Sequence, residues 1–198
     1  MKSKKNISNK NTPDIRYLYD IKDVLFDKKW LKTAKNLELY YMYRGVKARG
    51  DLRYDITVIP PQMLGKEFTR TKGNKNWKNF PELYMVLGGQ AIFLMQKALQ
   101  KKTTKDVVVV KAKKGESVIV PAKYNIVTIN PSKSILKAGN WVSNKNNNIY
   151  GDIEIMKGPA YFYTKLGWIK NKNYSKVPKL RFEKSLPKLP KDLTFLKG

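Results

Sequence analysis

What most constrains this chain is a rhythm of short β-branched and aromatic runs, each ended by a turn signal, that starts near Glu38 and continues to Thr164. The runs cover residues 39–43, 54–59 before Pro60-Pro61, 83–87, 91–95, 107–110, 117–120 before Pro121, 126–129 before Pro131, 137–142 and 160–164. Val, Ile, Tyr and Phe suit the pleated, half-buried surface of a strand. Proline between runs removes a ladder donor, and glycine opens a turn. About nine strands at this spacing predict an all-β sandwich or barrel. Before them, Ile15, Leu18, Ile21, Leu25 and Trp30 fall at helix-like intervals, so residues 14–36 are expected to form one or two short helices. Residues 1–13 read as a disordered basic arm. After Trp168 the chain turns Lys/Pro-rich, with Val177-Pro178, Leu186-Pro187 and Leu189-Pro190. The expected organisation is therefore a β domain over 14–168 and a tail over 169–198. That tail would lie extended on the barrel, with Trp168, Tyr174 and Phe182 as its anchors.

Composition narrows the chemistry. The 198 residues contain neither cysteine nor histidine. Disulfide frameworks, thiolate nucleophiles, Cys/His zinc sites and histidine-based triads are all excluded. The 35 Lys and 6 Arg outweigh 15 Asp and Glu, for a formal charge of +26. Two readings of that charge stay open. Spread along the chain, and Lys rather than Arg, it is either a solvated surface of compositional origin or a patch for a polyanion such as RNA. No run reaches the 18 or so apolar residues that span a bilayer, and the first residues carry no apolar leader, so a soluble cytoplasmic protein without a membrane partner is expected.

Two stretches carry motif spacing. The first is Gly65-Lys66-Glu67-Phe68-Thr69-Arg70-Thr71-Lys72-Gly73-Asn74-Lys75-Asn76, followed by Glu82 and then Gly89. The second places Gly115, Pro121, Lys123, Ile126 and Asn130 at the spacing G-x5-P-x-G-x2-H-x3-N. Together they resemble the two cupin motifs, with Asn74, Asn76 and Ile126 standing where that pattern has histidine. More closely, the chain resembles the cupin-type phosphoglucose isomerases of archaea and some bacteria. That resemblance rests on Gly50-Asp51-Leu52-Arg53-Tyr54-Asp55-Ile56-Thr57, Gly65-Lys66-Glu67-Phe68, Thr71-Lys72-Gly73, Glu82-Leu83-Tyr84 and Tyr150-Gly151.

The resemblance implies a double-stranded β-helix, or jelly-roll, barrel and a homodimer. It also implies interconversion of glucose 6-phosphate and fructose 6-phosphate. Three histidines and a glutamate hold a divalent metal in that family; here only Glu82 remains, and a further histidine position is Asn148. Glu82 would stand next to the reacting carbons, with Tyr84, Tyr40 and Tyr150 against the sugar. Thr57, Thr71 and Gly73 would hold the phosphate, with Lys72 and Lys66 adding charge. Imidazole suits first-row metals whereas an amide oxygen is a weak neutral donor and isoleucine none. No tightly held cofactor is expected; Mg2+ or Mn2+ loosely held by Glu82 and two amides stays open. Three readings follow from these residues: an active isomerase, a metal-free cupin that keeps sugar-phosphate binding while losing most or all catalysis, and a non-catalytic interaction protein with a polyanion partner.

Overall fold

The computed structural model describes residues 12–77, 80–100 and 102–197. The basic arm expected over residues 1–13 lies outside these, apart from residues 12 and 13. Two antiparallel sheets face each other. The larger has six strands in the order Asp14–Tyr17, Glu38–Arg49, Leu52–Ile59, Leu136–Ser143, Glu82–Gly88 and Ser117–Val120. The smaller orders Asn125–Ile129, Gln90–Gln100, Thr103–Lys113 and Arg181–Lys184, the last pairing parallel to its neighbour. This is the jelly-roll barrel of the cupin class, and all nine expected runs are strands.

Alternation along the strands divides the interior into two cores. Phe93, Met95, Val108 and Val110 of the small sheet meet Leu39, Ile59, Val86, Val118 and Val120 of the large one. The intervening Ile92, Leu94, Val107, Val109, Val127 and Ile129 point the other way, onto Met156, Ala160, Tyr161 and Tyr174. A strand buried on both faces has no polar side. That is why Val107-Val108-Val109-Val110 reads as a continuous apolar run.

The N-terminal expectation needs correction. Asp14–Tyr17 is an edge strand with Arg16 opposite Tyr40, Leu18–Val24 is a 3-10 helix, and only Lys28–Leu31 is α-helical, a single turn. Leu18, Ile21 and Val24 are the buried residues of the middle piece. A spacing of three repeats on one face of a 3-10 helix, not of an α-helix. The tail also differs in part. Tyr174 is buried, its hydroxyl donating to Gly158 O at 3.1 Å and accepting from Gln96 Nε2 at 2.8 Å. Trp168 packs on Tyr163 with ring centroids 4.7 Å apart. Phe182 anchors nothing: it is 60% exposed, on a strand whose every residue faces solvent. The far end is held instead by Leu193 and Leu196, buried against Leu52 and Leu83. Gly167–Lys170 forms one strand that runs through residue 168. No helix among the described residues is long and apolar enough to cross a membrane.

Candidate functional site

Because side chains alternate along a strand, four neighbouring strands of the large sheet each send every second residue into one cavity. Tyr40, Met42 and Arg44 come from the first, and Arg53, Asp55 and Thr57 from the second. The third contributes Asn140 and Val142, the fourth Glu82 and Tyr84. The register places Asn140 directly between Asp55 and Tyr84, while Val142 lies opposite Arg53. The 71–74 segment, Ile126, Thr128, Asn146, Asn148 and Tyr150 complete the lining. The enclosed space is about 50 Å3.

Glu82 is 4% exposed. Its Oε2 accepts from Tyr84 Oη at 3.1 Å and from Asn140 Nδ2. Burial pushes the Glu82 carboxyl above the ordinary range, and these two donors pull only part of the way back. The Tyr84 phenol is held far above its usual value, by burial first and by the neighbouring carboxylate second. Tyr40, also buried, accepts the Lys72 backbone N–H at 3.2 Å, which ties the 71–73 segment to the sheet. Thr71 is fixed by two contacts with Thr128: its N–H donates to Thr128 O at 2.9 Å, and its Oγ1 accepts from Thr128 N at 3.0 Å. Gly73 adopts φ +95°, and a Cβ there would come within 2.8 Å of Val127 Cγ2. Thr57 and Tyr150 face the same space.

The two lysines expected to add charge at the phosphate are placed differently, and only Lys72 lines the cavity. Lys72 is turned sideways, its ammonium paired with Glu154 and lying 5.1 Å from the Tyr150 ring centre. Lys66 is exposed and not among the cavity residues.

The histidine-replacing positions are not equivalent. Asn74 and Ile126 face the cavity, bridged through their backbones by hydrogen bonds of 3.2 and 2.7 Å. Asn76 turns away, donating its amide to Phe80 O at 2.7 Å. Among the described residues, no three carboxylate, imidazole or thiolate side chains converge as a metal site would need. A first-row metal beside Glu82 would find no imidazole or thiolate, only the amides of Asn74 and Asn140, the hydrocarbon of Ile126 and a carboxylate already bonded to two donors. This donor set does not fit such an ion.

Sequence reasoning missed a charged cluster deeper in the cavity. Asp55, 3% exposed, accepts from Arg44 Nη1 at 3.0 Å, Arg53 Nε at 3.1 Å and the Gly45 N–H at 2.8 Å. Gly45 lies at a break in strand register, with φ +61°, and the bulge aims its N–H at the carboxylate. The available signal was the two-residue spacing of Arg53, Asp55 and Thr57, which puts all three on the face of the expected phosphate contact. Also unforeseen is the buried pair of Glu67 and Arg70, 3.0 Å apart and each at most 1% exposed. Arg70 donates onward to Val24 O and to Thr71 O at 3.0 Å, while Glu67 accepts the Phe26 N–H at 2.7 Å. The pair rivets the N-terminal segment to the start of the 71–73 wall.

Comparison with known proteins gives one family. The family model described as glucose-6-phosphate isomerase matches residues 15–179. No curated protein matches the chain. Among solved structures, Peruvianin-I, a cysteine peptidase from Thevetia peruviana latex, is 13% identical with TM-score 0.46, over 65% of this chain and 77% of that one. Oxalate oxidase in complex with the substrate analogue glycolate is 12% identical with TM-score 0.41, over 50% of this chain and 46% of the other. The 7S globulin of Momordica charantia is 18% identical with TM-score 0.39, over 55% and 30% respectively. The chain thus spans less than half the length of the last two.

Proposed function

The chain belongs to the cupin-type glucose-6-phosphate isomerase family, and from that membership we propose that it binds an open-chain sugar phosphate and isomerises it weakly, without a tightly held metal. The observation that carries this reading is the pairing of a kept Glu82, bonded to Asn140 and Tyr84, with Ile126 and an averted Asn76 at the expected ligand positions. In this reading the phosphate rests against Thr57, Thr71 and the Gly73 backbone, and Tyr40 and Tyr150 flank the sugar. Glu82 takes the C2 proton as general base, and burial raises its affinity for protons above that of an ordinary carboxylate.

A Lewis acid at the carbonyl is worth several kcal/mol of transition-state stabilisation. Four kcal/mol is about a thousandfold in rate, which sets the scale of the loss. The enclosed 50 Å3 holds only a few waters, so a hexose phosphate enters by displacing lining groups such as Tyr150 and Lys72. The homodimer implied by the family belongs to the same proposal and would sediment at twice the 23.0 kDa chain mass.

The test is a coupled assay of fructose 6-phosphate conversion in Mn2+ and in EDTA, with glucose 6-phosphate binding measured by calorimetry on the same preparation. Expected are measurable binding and a slow turnover indifferent to EDTA. The triple variant Asn74→His, Asn76→His, Ile126→His is expected to gain Mn2+-dependent activity. Fast turnover by the native chain that EDTA abolishes refutes the metal-independent reading. Absence of glucose 6-phosphate binding refutes the sugar-phosphate reading itself.

A further inference from the structure

If the isomerisation proceeds without a metal ion, some other group must stabilise the oxygen that becomes negative. We propose that Arg53, steadied by Asp55, is that electrophile, and that the buried amides Asn140 and Asn146 accept hydrogen bonds from the substrate's hydroxyl groups. The inference rests on the reading that an open-chain sugar phosphate occupies this cavity.

Three observations carry it. Arg53 spends Nε on Asp55 at 3.1 Å and Nη1 on Asn146 O at 3.3 Å, while its Nη2 has no hydrogen-bond partner among the described residues. Its side chain lines the cavity and is 24% exposed, so the free donor is accessible to a ligand. Arg44 is more fully engaged, through Asp55, Met42 Sδ at 3.1 Å and a 3.8 Å approach to Asp14. Lys72 is held by Glu154.

The second observation is placement. Val142 lies opposite Arg53, and Glu82 is one residue beyond Leu83, which lies opposite Trp141. Arg53, Val142 and Glu82 therefore form one row across three strands on the cavity face. Two strand spacings separate Arg53 from Glu82, about 10 Å between backbones. Two side chains reaching inward across that gap can bracket the C1 and C2 atoms of one substrate. Thr57, four residues from Arg53 on the same strand, leaves about 13 Å of backbone for the remaining carbons and the phosphate.

The third is a pair of orphaned acceptors. Asn140 and Asn146 are 8% and 2% exposed, both line the cavity, and the Oδ1 of each is buried with no partner. Buried acceptors without donors are costly unless something supplies them. Hydroxyl groups of a polyol chain do so.

The step balances as follows. Glu82 removes the proton from C2, and the C–H electron pair forms the C1–C2 double bond. The carbonyl π pair moves to O1, where the Arg53 guanidinium donates to the developing oxyanion. Glu82 then returns its proton to C1, the O2 proton passes to O1, and the C2 carbonyl forms. No redox partner or further reactant is needed.

Removing a preorganised oxyanion donor costs about 100- to 1,000-fold in kcat. Arg53→Met is therefore expected to lower EDTA-resistant kcat by that factor, while the Kd for glucose 6-phosphate changes by less than about threefold, since the donor acts mainly in the transition state. Methylguanidinium added to Arg53→Ala should restore part of the lost rate, which a purely structural role would not allow. Arg53→Lys, which keeps the charge, serves if the methionine variant fails to fold, and is expected to retain intermediate activity. Binding and EDTA-resistant turnover that Arg53→Met leaves intact overturn the assignment. So does binding with no EDTA-resistant turnover in the native chain. If glucose 6-phosphate does not bind at all, the cavity reading falls and this inference falls with it.

Discussion

Replacing Arg70 by methionine would leave Glu67 as a buried carboxylate with no cation against it, in a site where both side chains are at most 1% exposed. Breaking one partner of such a pair typically costs about 3–5 kcal/mol. With an unfolding entropy of about 2.1 cal/mol/K per residue, a chain of 198 residues loses about 7–12 °C of Tm. The pH dependence makes the cause identifiable. Burial already raises the Glu67 carboxyl in the native protein, while Arg70 and the Phe26 N–H pull it down. Removing Arg70 leaves the raising influence less opposed, so the variant's carboxyl titrates higher still. A group whose folded value is raised is best tolerated below its unfolded value, near 4.3, and costs stability as pH climbs through the folded one. The deficit of Arg70→Met should therefore be smallest near pH 4–5 and widen toward pH 8. Urea unfolding at several pH values, read by tryptophan fluorescence, measures it. The paired replacement Glu67→Leu, Arg70→Met removes both charges and should recover most of the loss. A deficit below about 1 kcal/mol, or one that stays flat with pH, refutes the account of the pair as a mutually dependent charge rivet.

Three further outcomes follow from the geometry. Glu154→Gln releases the Lys72 ammonium from a partly exposed pair worth up to about 1 kcal/mol, and should tighten binding of glucose 6-phosphate by about two- to fivefold in calorimetry. Weaker binding would show that Lys72 does not serve the phosphate. Gly73→Ala forces a Cβ to 2.8 Å from Val127 Cγ2 at φ +95°, and should lower stability by about 1–3 kcal/mol, measured by denaturant midpoint. A variant as stable as the native protein would mean this turn relaxes freely. If Glu82 is the base, kcat/KM should rise with pH through a limb lying above the ordinary carboxylate range, because only the ionised form accepts the C2 proton. A limb at or below about 4.3 excludes Glu82 from that role.

The barrel was legible because its strands are apolar on both faces, so the runs at 91–95 and 107–110 survive without an alternating partner pattern. The N-terminal segment was not, since a three-residue spacing and a 3.6-residue spacing coincide over only two turns. Leu18, Ile21 and Val24 favour the former once Leu25 is seen to lie outside the helix. Phe182 failed as an anchor for a different reason. Its strand pairs along an edge, so hydrogen bonds to Val108, Val109 and Val110 hold the backbone while the ring points outward. Within the cavity, Glu82, Tyr84, Thr57 and Thr71 were accessible through the family resemblance that the motifs carry. Asp55 with its two arginines and Asn140 were not, because their meeting depends on the register of three strands drawn from residues 44 to 142. Lys72 illustrates the same limit, its partner Glu154 being distant in sequence.

That register also sets the electrostatics around Glu82. A carboxylate stripped of its metal and left in a sealed barrel would be destabilised as an anion, and the simplest repair would be to replace it. Here Glu82 is present, and its surroundings supply part of what a cation would supply, leaving its carboxyl above the ordinary range. An amide and a phenol donate to its oxygen, while the repulsion of the Asp55 carboxylate opposes and outweighs the attraction of Arg53. The arginine in turn needs a counter-charge at that depth, and Asp55 provides one to both guanidiniums while taking a third donor from the Gly45 bulge. The groups depend on one another, for Arg53 without Asp55 would be an underpaired, partly buried cation and Asp55 without the arginines an unpaired buried anion.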